Sequence, residues 1–264
     1  MTSAMLLDAS PWSPAQRRAY WEDQGFIVLR GLLRLADIDQ ASDEADLLRG
    51  RNDLISTRNL RCRFQTNVLT GECQFETFDP IVDIGPVCRR LAFDARLLSV
   101  LAELYDDVPC LFKDKLIYKP PGVKGYGLHQ DWIAWPGFPR SFLTVLAPLD
   151  DADVDNGCTE VFSGYHRNGS LTQEDGQYHE LPLETVDPLR GVLLELRRGD
   201  VAIFGGFTPH RSAPNRSARW RRQLYLSYNA RGDGGEQRAK HYDEFHHWLR
   251  VKYAEYGKAD VYFE

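Results

Sequence analysis

The sequence predicts a mainly β protein, a jelly-roll or cupin-like antiparallel core with flanking α-helices. Two observations carry that expectation. From residue 110 onward the chain breaks into seven short runs, 110–118, 128–133, 142–146, 159–162, 192–196, 201–204 and 222–228, separated by glycine and proline signals. Serial short strands of this kind indicate a closed or double-sheet antiparallel architecture. Ahead of them, apolar residues recur at helical spacing instead, which places helices outside the core. The expected organisation is one domain over 1–264, with a helical N-terminal region over 1–109, a jelly-roll core over 110–230 and a C-terminal helix over 236–257.

Each element has a local reason. Ser13-Pro14 supplies a hydroxyl cap and a proline at the first helical position, and Gly25 a stop, so a helix spans 14–24. Phe26-Ile27-Val28-Leu29 reads as a short buried strand. Ile38, Ala41, Ala45 and Leu48 build a second amphipathic helix, closed by Gly50. Residues 62–69 and 73–78 read as two strands around Thr70-Gly71. Asp94 caps a helix from Ala95 to Tyr105, whose leucines 97, 98, 101 and 104 are core residues. The polar stretch 163–190 has no periodicity, and loops of that length are active-site covers or disordered segments. Past residue 236, Tyr242, Phe245, Leu249, Tyr253 and Tyr256 recur at three- and four-residue steps up to Gly257, a helix packed by an aromatic face. His241, His246 and His247 in it read as surface residues, because adjacent histidines cannot share a helix face.

With 264 residues, 43% apolar and 27% charged, the chain can bury a full core. Its 32 basic and 38 acidic residues leave a net charge of −6, which argues against nucleic acid or an anionic membrane as partner. Five widely spaced cysteines without a CxxC pair suggest neither a disulfide framework nor a zinc site. Residues 1–8 lack a basic segment and a long enough apolar run for a signal peptide, and no later stretch approaches a membrane span. The expectation is a cytoplasmic protein acting on a small molecule.

The chemistry centres on Gly127-Leu128-His129-Gln130-Asp131-Trp132. On a strand, His129 and Asp131 face the same way and can share one metal ion. Among seven histidines in an acidic chain, a lone His-x-Asp also reads as a surface ion pair. A second element raises it above that reading: His210, followed by Ser212, Asn215, Arg219, Arg221 and Arg222. Two histidines and one carboxylate on one face of an iron form the facial triad of non-haem Fe(II) oxygenases, and an arginine opposite suits a dicarboxylate co-substrate. Strand parity puts Arg221, Gln223, Tyr225, Ser227 and Asn229 on one face and Arg222, Leu224, Leu226 and Tyr228 on the other. The polar row suits a wet interior, which makes Arg221 the better candidate to grip a carboxylate with two parallel hydrogen bonds; the alternative is a row facing solvent.

These residues resemble the phytanoyl-CoA dioxygenase superfamily of Fe(II)- and 2-oxoglutarate-dependent oxygenases. The resemblance covers nearly the whole chain. It runs through Asp23-Gln24-Gly25-Phe26, Tyr118-Lys119-Pro120-Pro121-Gly122, His129-Gln130-Asp131, Asp155-Asn156-Gly157-Cys158-Thr159-Glu160, Ser163-Gly164-Tyr165-His166-Arg167, Gly199-Asp200-Val201 and His210 through Arg221. It implies a double-stranded β-helix core, with His129, Asp131 and His210 as iron ligands. Arg221, eleven positions after His210, and Ser212 would bind 2-oxoglutarate. O2 would be the oxidant, with succinate and CO2 released as a C–H bond is hydroxylated. The aspartate favours oxygenation over halogenation, since related halogenases carry a small residue there. His166 lies where the family has a Pro-Gly-Ser-His turn; its proline and serine are replaced here, so His166 reads as structural.

Two readings compete with this one: a non-redox cupin-like metalloprotein that binds or isomerises a small ligand, and a catalytically silent barrel. The intact triad disfavours the second. Lys113 and Lys115 bear on the substrate. Positions 111, 113, 115 and 117 share a strand face, and two ammonium groups side by side in a partly dry cavity need an anion between them. The expectation is a phosphonate, phosphate or carboxylate on the substrate, and Lys113-Asp114-Lys115 with Tyr126 to Asp131 is similar to aminoethylphosphonate-type hydroxylases.

Overall fold

The structure, a computed structural model, describes residues 7–264. Residues 1–6, on which the signal-peptide reading partly rests, lie outside the described residues. Along the chain, α1 (Pro14–Gln24) leads into β1 (Phe26–Leu29), then α2 (Leu35–Arg49), β2 (Cys62–Thr66), β3 (Cys73–Phe78), α3 (Pro86–Ala92) and α4 (Ala95–Tyr105). There follow β4 (Pro109–Lys119), β5 (Tyr126–His129), β6 (Leu143–Pro148), β7 (Thr159–Phe162), β8 (Gly191–Leu193), β9 (Val201–Gly205), β10 (His210–Ser212) and β11 (Arg221–Ala230). A final helix, α5 (Arg238–Glu255), closes the series.

The strands form two antiparallel sheets, one of seven strands in the order β1-β9-β6-β11-β4-β3-β2 and one of four in the order β5-β10-β7-β8. This is the jelly-roll architecture expected. The region read as helical, residues 1–109, is not purely so, because β1, β2 and β3 extend the larger sheet at both edges. Helix α3 and strand β10 had no expectation behind them; at seven and three residues both are too short to show a period.

Alternation along the strands sorts the two faces of the large sheet. Ile27, Leu29, Leu143, Val145, Leu224, Leu226 and Tyr228 point outward into one apolar cluster with Ile38, Ala41 and Ala45 of α2 and Leu97 and Leu101 of α4. Phe26, Val28, Leu146, Ala202 and Phe204 point inward, against Val161 of the small sheet and Cys158 beside it. The inward row of β11 is therefore Arg221, Gln223, Tyr225, Ser227 and Asn229, as parity required. On β4 the parity breaks once. Ser227 pairs with Lys113 and Tyr228 with Leu111, so Phe112 is the extra residue of a bulge. Leu111 therefore joins the outer cluster rather than the lysine face, and Phe112 packs inward with Trp132 and Phe142.

The N-terminal join is fixed tightly. Ser13 and Gln16 form a reciprocal capping box on α1, and Gly25 ends it at φ 77° with its N–H on Trp21 O. A Cβ at Gly25 would lie 2.3 Å from His166 Nδ1, so the His166 imidazole packs directly on this glycine, with Nε2 3.1 Å from Glu22 O. That is the structural role expected of His166.

Candidate active site

Three side chains converge between the sheets. His129 ends β5 and pairs across the ladder with His210, which begins β10. Asp131 Oδ1 lies 3.8 Å from His129 Nε2 and 3.7 Å from His210 Nε2. One ligand atom from each of the three lies within 4.8 Å of the others. Each imidazole is oriented from behind: Nδ1 of His129 is 2.8 Å from Gly127 O and Nδ1 of His210 is 3.0 Å from Thr208 O. Both backbone partners can only accept, so Nδ1 carries the proton and the Nε2 lone pairs face inward. Burial, and then the neighbouring His210, push the His129 imidazole down to about 4, which keeps it neutral. Burial alone would raise Asp131, but His210, His129 and Lys115 hold its carboxylate at about 2. Two lone pairs and an ionised carboxylate with no proton donor between them are a donor set for a divalent cation, and an N2O set suits iron.

Asp131 arrives by a different route from the one its spacing suggested. The strand expected over 128–133 ends at His129, and Asp131 stands in a bend. Gln130 makes that bend: its Nε2 donates to Phe207 O at 2.6 Å and Gly169 O at 2.9 Å, and its Oε1 accepts from Leu171 N at 2.7 Å. Trp132 N then donates to Gly206 O. Thr144 Oγ1, on the inward row of β6, donates to Asp131 Oδ2 at 2.7 Å and lies 3.3 Å from Ser227 Oγ. Gln130 and Thr144 went unnoticed in the sequence, although a threonine inside the apolar run 142–146 is a visible signal.

A cavity of about 730 Å3 opens on the triad. At one end stand the last rungs of the β4/β11 ladder, Lys119 opposite Arg221. Both side chains are fully buried. Arg221 Nη1 donates to Gly157 O at 2.5 Å and Nη2 lies 3.4 Å from the Tyr225 hydroxyl, while Nε has no partner. Lys119 Nζ donates to Gly157 O and Ser212 Oγ, both at 3.2 Å. Gly157 can serve both because it has φ 72° and no Cβ, which would lie 2.2 Å from Ala213 O. Burial, then the charge of Arg221, push the Lys119 ammonium down to about 6. Ser212, Thr159 and Tyr225 line the cavity here; Arg221 stands behind Tyr225 and is not among the lining residues. A fully buried guanidinium whose protein acceptors are all neutral is a built receptor for a carboxylate, which is the fit 2-oxoglutarate requires.

The other end carries Lys113 and Lys115, which face the cavity as expected. Lys113 Nζ is 3.7 Å from Asp79 Oδ2 and 4.7 Å from the Phe245 ring centroid. Lys115 pairs with Tyr225 across the ladder, its Nζ 6.0 Å from that ring. Burial pushes Lys113 down to about 8, while Lys113, Arg63 and Lys115 overcome burial to hold Asp79 at about 2. The wall opposite is α5, and here the surface reading of its histidines needs correction. His241 lines the cavity, 4.4 Å from the Phe112 centroid and stacked on Phe245, and His246 is buried 4.0 Å from Phe263. Only His247 is exposed. For His246 the reason is the tail after the helix, where Tyr262 bridges Asn59 and Phe263 lies under the Arg61 guanidinium; for His241 it is Phe112 of β4. The long stretch 163–190 does cover the site, with Gly176, Gln177, Tyr178 and Glu180 on the cavity wall and Tyr178 5.3 Å from His129.

The phytanoyl-CoA dioxygenase (PhyH) family model matches residues 21–223. The chain belongs to the phytanoyl-CoA dioxygenase family. Among curated relatives, the 2-aminoethylphosphonate dioxygenase of an uncultured bacterium is 28% identical over 226 residues, 83% of this chain and 82% of the other. The methylphosphonate hydroxylase of Gimesia maris is 32% identical over 146 residues, 55% of each chain. The solved structure of EctD from S. alaskensis with 2-oxoglutarate and 5-hydroxyectoine shares the fold at TM-score 0.70 and 24% identity, covering 88% of this chain and 84% of that one. As a family member the protein is an Fe(II)- and 2-oxoglutarate-dependent dioxygenase that uses O2 and acts on a small molecule. Among the described residues no helix is long and apolar enough to cross a membrane.

Proposed function

We propose that this dioxygenase hydroxylates a small organophosphonate. In this reading His129, Asp131 and His210 hold the iron, Arg221 and Ser212 bind 2-oxoglutarate, and Lys113 and Lys115 bind the substrate's anionic group. The observation that supports it best is the charge layout of the cavity: one inward-facing metal donor set, with cationic side chains at one end of the β4/β11 ladder and again at its middle. The named activities of two relatives, on 2-aminoethylphosphonate and methylphosphonate, point the same way. A reducing cytoplasm suits the five free cysteines.

When bound, iron with 2-oxoglutarate and O2 supplies the oxidising power to hydroxylate an unactivated C–H, with succinate and CO2 as by-products. The protein contributes orientation and exclusion of water. Gly127 O and Thr208 O fix the tautomers of His129 and His210, and Thr144 fixes one oxygen of Asp131 so that the other faces the imidazoles. Arg221 supplies its unpartnered Nε–H for the distal carboxylate of 2-oxoglutarate, beside Tyr225, which lines the cavity together with Ser212. Trp135, Phe138, Phe142 and Phe245 give the opposite wall an apolar surface that sheds water around the substrate's carbon.

The test is direct. Anaerobic addition of Fe(II) and then 2-oxoglutarate should give a weak visible charge-transfer band, and aerobic methylphosphonate or 2-aminoethylphosphonate should stimulate succinate release with matching hydroxylated product. A protein that binds a divalent ion but never consumes 2-oxoglutarate would be the non-redox cupin instead.

A further inference from the structure

Around Asp79 the cavity holds more positive charge than the protein neutralises. Arg63 Nη2 is 3.9 Å and Lys113 Nζ 3.7 Å from the same oxygen, Asp79 Oδ2, and Lys115 lies two rungs along β4, on the same face as Lys113. Three cations against one carboxylate leave an excess of two. Glu76, on β3, belongs to the other end: burial raises its carboxyl above the ordinary range, and the cations that act on it most are Lys119 and Arg221, ahead of Lys115, while the Tyr126 hydroxyl donates to it at 2.5 Å. Arg63 Nη2, too far from Asp79 for a hydrogen bond, and one further atom on these walls, His241 Nε2, are buried without any hydrogen-bond partner among the described residues. Unpaired buried polar atoms are costly, and with His241 in its Nε2–H tautomer both would be donors grouped where an acceptor can serve them.

Helix α5 sets this cluster's shape. The Phe245 ring sits 5.3 Å from the Arg63 guanidinium and 4.7 Å from Lys113 Nζ, and His241 stacks on that ring at 7°. Phe112, pushed inward by the β4 bulge, holds the imidazole from the other side. The donors thus come from three elements, β2, β4 and α5, around one point.

We infer that Arg63 and His241 complete, with Lys113 and Lys115, a subsite for a dianionic tetrahedral oxyanion, so that the β2 edge and α5 determine which anions the enzyme accepts. The inference rests on the proposed phosphonate chemistry and adds two specificity-determining residues to it. A phosphonate dianion matches the excess of two charges and offers three oxygens to four donors. A carboxylate brings one charge and two oxygens, so it would leave donors unpaired.

The experiment is calorimetric titration of the anaerobic Fe(II)- and 2-oxoglutarate-loaded protein with methylphosphonate and with acetate, alongside KM values for methylphosphonate and 2-oxoglutarate. Wild type should bind methylphosphonate at least tenfold tighter than acetate. Arg63→Met should weaken methylphosphonate roughly ten- to a hundredfold, as loss of a charge-assisted partner does, and bring the preference over acetate to within about threefold. Arg63→Lys should retain most of the affinity, which separates charge from packing. His241→Phe keeps the stacked ring and should weaken methylphosphonate about fivefold, with the KM for 2-oxoglutarate unchanged in every variant. Wild-type affinity for methylphosphonate in folded Arg63→Met or His241→Phe overturns the inference, as does a rise in the 2-oxoglutarate KM, which would assign these donors to the co-substrate. Wild type that consumes 2-oxoglutarate but binds neither methylphosphonate nor 2-aminoethylphosphonate overturns it too and leaves the oxygenase reading standing. Wild type that consumes no 2-oxoglutarate sinks both.

Discussion

Arg221→Met removes the guanidinium proposed to receive the distal carboxylate of 2-oxoglutarate while keeping most of the side chain's bulk. Loss of a buried charge-assisted pair costs roughly 2 to 5 kcal/mol, which is about thirty- to five-thousandfold in affinity. The structure places the effect near the lower end. Lys119 faces Arg221 across the ladder, and the charge of Arg221 is, after burial, the main reason its ammonium falls to about 6. With that charge gone Lys119 keeps its proton to higher pH and replaces some of the lost attraction. The expected result near neutral pH is a rise of about thirty- to a hundredfold in the 2-oxoglutarate KM, read by succinate release and by anaerobic titration of the charge-transfer band. The sign of the pH dependence follows. In the variant, 2-oxoglutarate binding should strengthen as pH falls and Lys119 becomes charged, whereas wild type retains its guanidinium throughout. Arg222→Met is the control: Arg222 is committed outward to Asp150 at 2.8 Å and Asp46 at 2.9 Å, so it should lower the melting temperature and spare 2-oxoglutarate binding. Tyr225→Phe, which removes only the hydroxyl beside Nη2, should cost less than Arg221→Met. A change below threefold in Arg221→Met, or an effect on methylphosphonate instead, would refute the assignment.

Three other outcomes are expected. Asp131→Ala and His210→Ala should abolish iron retention and turnover with the melting curve near wild type, since both side chains line a cavity; turnover in either removes the triad assignment, and Asp131→Gly should not chlorinate efficiently. Thr144→Val should lower iron affinity or turnover roughly ten- to a hundredfold, because Asp131 Oδ2 loses the hydroxyl that orients it, and full activity would show that the bend at Gln130 suffices. Burial pushes Lys113 down to about 8, so above that pH it loses the charge proposed to attract the substrate and the KM for methylphosphonate should rise; Lys113→Met should raise that KM below about pH 8 and flatten this limb. Stability should move the opposite way. Because the folded value is depressed, the unfolded chain holds the extra proton between about 8 and the ordinary lysine value, so this group makes the ligand-free protein more stable as pH climbs through that window.

What the sequence made legible follows the physics of period and punctuation. Helices α1 and α4 and strands β1 and β7 coincide with their expected bounds because a cap, a glycine stop or a tight turn stands at each end. Parity found the inward row of β11 because that strand has no extra residue. The same rule misplaced Leu111 because one bulge on β4 resets the alternation, and a bulge leaves no mark in composition. His129 and Asp131 were rightly brought together on a wrong premise: the strand stops at His129, and the side chain of Gln130 does the turning through three long-range hydrogen bonds. His241 was missed for a related reason. Its neighbours Phe112 and Lys113 lie more than a hundred residues earlier, and local spacing on a helix says nothing of what packs on it.

The two cationic ends of the cavity must be kept apart, and the β4/β11 ladder does this by length. On the proposed phosphonate reading both ligands of the reaction are anions, so a site built from undifferentiated positive charge would let each occupy the other's place. Lys119 opposite Arg221 and Lys113 opposite Ser227 are six residues apart on the same two strands, about 20 Å at the usual strand rise. The ends also differ in the charge they can accept. At the Arg221 end burial, then the charge of Arg221, pushes Lys119 down to about 6, so near neutral pH the guanidinium is the main positive charge there, with the Glu76 carboxyl near it. At the Asp79 end a carboxylate sits among three cations and keeps them compatible, so two charges remain for a dianion. Asp79→Asn puts this to the test: it removes the charge that lets Lys113 and Arg63 share a site, so the Lys113 value should fall further and methylphosphonate binding should weaken at neutral pH, despite the loss of a negative group. Tighter binding in Asp79→Asn would show instead that Asp79 only opposes the substrate.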